Sequence, residues 1–297
     1  MSLNLVVGAT GLLGSEICRQ LTQQGKNVRA LVRETSDPKK VSRLQEFGCE
    51  LVYGDMKNPS SLDKAFYGVN NVISTASCTY SRQEGDSIQT VDLEGQLNLV
   101  LTAESTGVEQ FIFISFAKDP SFPFPLSDAK LAVEAQLKKS GMNFTVLEAN
   151  YFMEIWLSEA LGFDVANGKA RIYGDGTSKI SWVSYIDVAK FAVAMVGNEA
   201  AKNRVFKIGG PEALSPLEVI TIFEKVTGEA FSVEFVPEKS LRYQKENTSD
   251  PLQEAFAALM LGYAFGNQMD MEPVLKKFPM EMKTVRDYAM GLIMHKI

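Results

Sequence analysis

Two rhythms of apolar and polar residues run through this chain. Short, mostly apolar runs recur at residues 5–7, 28–32, 50–53, 71–74, 111–115 and 144–148. Runs of this kind are strands covered on both faces, as in a parallel sheet. Between them lie amphipathic stretches at 15–24, 38–47, from 58 onward, 88–106 and 130–139, which read as helices. Gly48 supplies a stop for one helix and Pro59 sits just inside the start of the next. Strict alternation predicts an α/β fold, a doubly wound parallel sheet with right-handed crossovers and helices on both faces. After residue 150 the rhythm loosens. A helix is expected at 151–161, a strand into a turn at 170–176, a strand at 181–184, a helix at 186–196 and a strand at 204–208. Ser215 and Pro216 look like the cap and first position of another helix. Roughly the last eighty residues read as helical and Met-rich. The expected division is a nucleotide-binding domain at 1–150, to which 181–210 return, and a smaller, mostly helical substrate lobe at 151–180 and 211–297.

The junction of the first strand and first helix carries the sharpest chemistry. Residues 8–14 read G-A-T-G-L-L-G. Glycines at such a turn let backbone approach a pyrophosphate and let the helix pack close to the strand. The helix N-terminus then presents free N–H groups and a positive dipole end. Gly8, Thr10, Gly11, Leu12, Leu13 and Gly14 are therefore candidate phosphate contacts. A glycine triplet alone is weak; the strand before it, the helix after it and a second strand beyond make it specific.

Composition narrows the class. The net charge of −6 argues against a nucleic-acid surface. No apolar run reaches the roughly eighteen residues of a membrane span, and no basic, apolar leader precedes the first strand. A cytoplasmic chain is expected. Cys18, Cys49 and Cys78 are odd in number and widely spaced, which suits reduced thiols. The single histidine, His295, and the scattered cysteines predict no metal site and no Ser-His-Asp hydrolase.

Several segments together resemble a known family, the NmrA-like, atypical short-chain dehydrogenase/reductases. They are the glycine turn, A-L-V-R at 30–33, V-Y-G-D-M at 52–56, V-D-L-E-G at 91–95, S-W-V-S-Y-I-D-V-A at 181–189 and F-K-I-G-G-P at 206–211. The resemblance spans nearly the whole chain and weakens after about Phe231. It implies a Rossmann fold that binds NADP(H). It puts Arg33 at the ribose 2′ position, where a guanidinium suits a phosphate; Glu34 should point the other way, and Lys39 and Lys40 add charge nearby. Asp55 and Met56 match the adenine-binding pair, with capping of the following turn the lesser alternative for Asp55. Thr75, Ala76 and Ser77 fall where the family chain passes the nicotinamide ribose, with Cys78 beside them as a packing residue. Ser115 stands where conventional members hold a substrate carbonyl, and Lys130 where they carry a catalytic Lys. Their proton-donating Tyr would be four residues earlier, and here that position is Leu126. Asn150, Tyr151 and Phe152 match the segment that packs on the nicotinamide, with Tyr151 either a proton donor or a packing residue. Trp156 and Met260, Met269, Met271, Met280 and Met282 either line an apolar pocket or fill the core.

The expected activity is that of an NADP(H)-dependent reductase lacking the Tyr-x-x-x-Lys pair. It would act on a small apolar carbonyl, quinone or conjugated alkene, as a monomer or homodimer. A non-enzymatic NADP(H)-binding redox sensor or assembly factor is the alternative. A sugar-nucleotide epimerase ranks third, because it would need the missing Tyr.

Overall fold

The computed structural model describes residues 2–80, 82–119 and 122–294. His295 lies outside them. The first half runs β1 (Leu3–Val7), α1 (Leu12–Gln23), β2 (Asn27–Val32), α2 (Pro38–Glu46), β3 (Glu50–Tyr53), α3 (Asp63–Phe66) and β4 (Asn71–Ser74). A π-helical segment, Ile88–Gly95, then runs into α4 (Gln96–Ser105), followed by β5 (Gln110–Phe116), α5 (Pro125–Lys139) and β6 (Asn143–Ala149). Next come α6 (Met153–Trp156), β7 (Phe163–Asp164), β8 (Lys169–Tyr173), α7 (Tyr185–Met195), β9 (Arg204–Ile208), α8 (Pro216–Thr227) and β10 (Ser232–Val236). The chain closes with α9 (Glu238–Asn247), α10 (Pro251–Phe265), α11 (Glu272–Leu275) and α12 (Val285–Met294).

Seven strands form one sheet in the order β3-β2-β1-β4-β5-β6-β9. The pairings from β3 across to β5 are parallel. The chain leaves β1 toward β2 and β3, then returns to the other side at β4. That reversal is the switch point beside which ligands bind in such sheets. Val7 is level with Leu31 and Ser74, and Val32 with Tyr53. Gly8, Arg33, Gly54 and Thr75 therefore leave the sheet along one edge.

The chain divides into two compact units, 1–148 with 188–206, and 149–187 with 207–297. In the first, β1 and β4 are buried almost throughout, and α1 presses Leu13, Ile17, Cys18 and Leu21 inward. Two buried amides are answered: Asn71 donates to Asn4 Oδ1 at 2.9 Å, and Asn4 donates to the Asn27 carbonyl at 2.9 Å. Gln96, fully buried, accepts from Ser74 Oγ at 2.8 Å and donates to the Ala76 carbonyl at 2.8 Å, which fixes the chain leaving β4.

The second unit carries a three-stranded sheet, β10-β8-β7. Its strand β10 lies where the pattern read only helix. The segment Ser232–Val236 pairs in parallel with β8, but only Val233 and Val236 are half-buried and Phe235 is exposed, so it lacks the apolar run of a covered strand. Residues 181–184 were expected to be a strand. Instead Trp182 N–H donates back to the Ile180 carbonyl at 3.1 Å, a tight turn that leaves isolated bridges, from Ile180 to Leu214 and Asn267 and from Val183 to Phe152. The helix expected at 151–161 is broken at Leu157, leaving α6 and a short 3₁₀ turn, Glu159–Leu161. Ser215 caps α8 through a reciprocal box with Glu218, with Pro216 at the first position.

Candidate functional site

The glycine turn is closed by backbone. Gly11 N–H donates to the Gly8 carbonyl at 2.9 Å, and Ser15 N–H to the Gly11 carbonyl at 3.0 Å. Gly8 has φ +79°, a conformation only glycine adopts cheaply. A Cβ on Gly14 would lie 2.2 Å from the Gly8 carbonyl oxygen, and one on Gly8 would lie 2.6 Å from Thr75 Oγ1. Thr75 Oγ1 in turn donates to the Val7 carbonyl at 3.1 Å. The ends of β1 and β4 and the first turn of α1 are thus drawn together at van der Waals limits. Gly11 caps α1 without a side-chain partner. The N–H groups of Leu12, Leu13 and Gly14 fall in the first turn, which the helix itself cannot satisfy. Thr10 and Leu12 stay partly exposed above this turn.

At the ends of β2 and β3, charge is concentrated. Arg33 Nη1 contacts Asp86 Oδ1 at 3.0 Å and Oδ2 at 2.9 Å. Lys57 Nζ donates to Asp86 Oδ1 at 2.7 Å and lies 3.7 Å from Asp55 Oδ2. Burial alone would raise the Asp86 carboxyl, but the bonds from Lys57, Arg33 and Gln83 N–H together outweigh it and hold its pKa below the usual range. Asp55 Oδ1 accepts from Lys57 N–H at 2.9 Å, a local turn that accounts for its capping character. Met56 is buried against Gly95. Glu34, Lys39 and Lys40 are exposed.

Along β5, helix α5 lays two charged side chains one turn apart over residues two apart on the strand. Lys130 Nζ sits 4.9 Å from the centre of the Phe113 ring, and Glu134 Oε1 accepts from Ser115 Oγ at 2.9 Å. Lys130 is buried and paired with Asp92 Oδ1 at 3.2 Å, an ion pair without hydrogen-bond alignment. Asp92 is wholly buried on the π-helical segment, and its Oδ2 accepts from Cys78 N–H at 3.1 Å. Such segments insert an extra residue in a turn and often mark functional sites. Leu126, one turn before Lys130, is buried apolar packing. Ser115 Oγ also receives a bond from Lys118 Nζ at 3.0 Å, and that ammonium reaches Glu134 at 2.6 Å and Glu148 at 2.9 Å. Lys57, Asp86, Asp92, Lys118, Glu134 and Glu148 escaped the sequence reading. Glu134 carried a signal, four residues beyond Lys130 on one helical face. Glu148 carried another, a carboxylate ending an apolar run. Ala76 gives its carbonyl to Gln96, and Ser77 Oγ bonds Thr79.

Cys18, Cys49 and Cys78 are free and buried. Burial, then the Asp92 charge, pushes the Cys78 thiol up to about 12. At pH 8 its thiolate fraction is about 10⁻⁴. Iodoacetamide at pH 8 should therefore leave Cys78 unmodified in the folded chain and label it readily in urea, as read by peptide mass. Rapid labelling of the folded chain would contradict this environment.

The second unit holds the remaining candidates. Asn150 Nδ2 donates to the Asn267 carbonyl at 2.8 Å, while its buried Oδ1 has no partner. Tyr151 OH donates to the Leu259 carbonyl at 3.0 Å, and burial raises its pKa well above the usual phenol value. Both effects oppose proton donation. Its ring packs edge-on to Trp156 and Tyr263 at 4.8 Å and 6.1 Å. Trp156 stacks on Tyr263 at 5.7 Å within the same aromatic cluster. Phe152 bridges to Val183. Met271 and Met282 are buried, and Met271 Sδ accepts from Gly209 N–H at 3.1 Å; Met260, Met269 and Met280 are half-buried.

The chain is 32% identical over 301 residues to the photosystem II assembly factor Ycf39 of Synechocystis sp., covering 96% of this chain and 88% of that one. It is 29% identical over 279 residues to an isoflavone reductase homolog, IRL, of Zea mays, covering 90% and 88%. Among solved structures, the binary complex of leucoanthocyanidin reductase with NADPH from Vitis vinifera superposes with a TM-score of 0.81 at 21% identity, covering 99% of this chain and 100% of that one. A family-level match runs over residues 2–289, and with the glycine turn and the sheet order it gives one conclusion: the chain belongs to the NmrA-like family.

Proposed function

We propose that the chain binds NADP(H) and is an atypical reductase acting on an apolar carbonyl, quinone or conjugated alkene. The observation that carries this reading is a turn with no room for a Cβ at Gly8 or Gly14, standing beside a two-cation cluster, Arg33 and Lys57. The residues suit the cofactor. The free N–H groups of residues 12–14, with Thr10 and Gly11, hold the pyrophosphate. Arg33 and Lys57 hold a 2′-phosphate, Arg33 with the planar fork that matches it. Asp55 and Met56 face the adenine, and Thr75, Ala76 and Ser77 pass the second ribose. The cofactor, when bound, supplies the hydride. Lys130 keeps a fixed ammonium in a buried place, and Ser115 a fixed hydroxyl, so neither must reorganise as charge develops.

One specific set of contacts favours a second reading, a non-enzymatic NADP(H)-binding assembly factor or sensor. Ser115 Oγ is bonded on both sides, and the Lys130 charge is already answered by Asp92. The Synechocystis relative bears an assembly factor's name. Stopped-flow NADPH oxidation against quinones, enones and aldehydes separates the two. Oxidation that depends on a panel member supports the reductase. Tight NADPH binding with no oxidation by any member supports the second reading.

A further inference from the structure

The Asp86 carboxylate has the position of a ligand. It sits 53 residues along the chain from Arg33, yet it collects four contacts within 3.0 Å: two from Arg33 Nη1, one from Lys57 Nζ and one from Gln83 N–H. Its side chain is 2% exposed, whereas those of Arg33 and Lys57 are 29% and 24% exposed. The cations thus face solvent in part while the anion that neutralises them is enclosed. The carboxylate is carried by a small self-contained turn. Asp86 N–H donates to the Gln83 carbonyl at 3.0 Å. The turn is strapped to the chain just beyond β2: Gln83 Nε2 donates to the Thr35 carbonyl at 2.9 Å, and its Oε1 meets Thr35 Oγ1. On the other side, Thr90 Oγ1 donates to the Gly85 carbonyl at 2.9 Å.

The charges close to zero. Arg33 and Lys57 supply two positive charges, and Asp86 and the Asp55 carboxylate 3.7 Å from Lys57 supply two negative ones. A ribose 2′-phosphate brought to the same cations adds up to two further negative charges beside Asp86. Like charges set together in this way repel, and the repulsion opposes binding of the phosphate. The phosphate and the carboxylate therefore compete for one pair of cations. A ribose with a free 2′-hydroxyl adds no charge and faces no such competition.

We propose that Asp86 is an internal anion that holds the Arg33–Lys57 pair in the free chain and yields it to a ribose 2′-phosphate, so that this carboxylate sets the discrimination between NADP(H) and NAD(H). The inference rests on the NADP(H) reading above. It makes Asp86 a specificity residue opposing the phosphate: part of the binding energy of the 2′-phosphate is spent in freeing the cations and the turn.

The test is calorimetric titration of the full chain with NADPH, NADH, 2′,5′-ADP and 5′-AMP, the last two differing only in the 2′-phosphate. Asp86→Asn keeps the shape and removes the charge. It should tighten NADPH and 2′,5′-ADP by roughly five- to thirtyfold and change NADH and 5′-AMP by less than about twofold. Gln83→Ala loosens the strap but leaves the charge, and should shift the same ratio in the same direction by a smaller factor. An unchanged ratio in both variants overturns the inference, as does weaker NADPH binding in Asp86→Asn, which would make Asp86 an organiser of the cations. Failure of the underlying reading looks different: neither the native chain nor Asp86→Asn would then bind any of the four probes.

Discussion

Lys130→Met is expected to destabilise the folded chain by about 3–5 kcal/mol, the cost of leaving one member of a buried ion pair alone. Asp92 is wholly buried and its Oδ1 has no hydrogen-bond partner, so the Lys130 ammonium at 3.2 Å is what answers its charge. Met keeps the length of Lys and its packing on Phe113, but it strands the carboxylate. The double variant Lys130→Met with Asp92→Asn should regain most of the loss. It removes both charges together, and Asn can still accept the Cys78 N–H bond. Urea unfolding of the three proteins gives the coupling energy directly. If the single variant unfolds with native stability, the pair does not hold the π-helical segment against α5. The double variant also isolates chemistry from folding. For a reductase that uses the Lys130 charge, NADPH oxidation by the stable double variant should fall roughly two to three orders of magnitude, as for loss of one electrostatic donor. A native rate would remove Lys130 from the mechanism.

The glycine turn gives the second large effect, and it differs sharply between positions. Gly14→Ala sets a Cβ 2.2 Å from the Gly8 carbonyl oxygen and 2.9 Å from Thr75 Oγ1. Backbone has to move, and α1 must lift from β1, at a cost of about 3 kcal/mol. Gly11 is freer. Its φ of −78° suits any residue, and an added Cβ meets only the Gly8 carbonyl oxygen at 3.1 Å. Gly11→Val should fold with nearly native stability and lose the protection that NADPH confers, about 2.7 kcal/mol for the native chain at a hundred times its dissociation constant. Melting with and without NADPH measures both. A Gly14→Ala chain as stable as native would mean the turn is looser than its contacts imply. A Gly11→Val chain still protected by NADPH would place the phosphates elsewhere.

Much of the sheet was legible because local rules and tertiary demands agree there. Apolar runs such as 5–7 and 71–74 are covered on both faces, so burial and pattern carry the same message. The turn at Gly8–Gly14 was legible for the same reason, since close packing of strand and helix needs glycine at fixed spacing. Legibility dropped where a segment is governed by one neighbour. Residues 181–184 read as a strand by composition, yet a local Trp182–Ile180 bond turns them aside. The strand β10 hid among helices because it pairs along one edge only.

The sequence by itself determined the order of strands and helices through β6, the glycine turn at the end of β1, and the presence of a cation, Arg33, at the end of β2. These follow from periodicities and spacings within a few tens of residues. Only the tertiary structure decided what answers each charged side chain. Arg33 meets Asp86 from 53 residues away, Lys118 meets Glu148 from 30 residues away, and Lys130 meets Asp92 through the folding of α5 onto the π-helical segment. Electrostatic partners are chosen by distance in space and by burial, since a charge removed from water must be neutralised where it lies. No spacing along the chain encodes that choice.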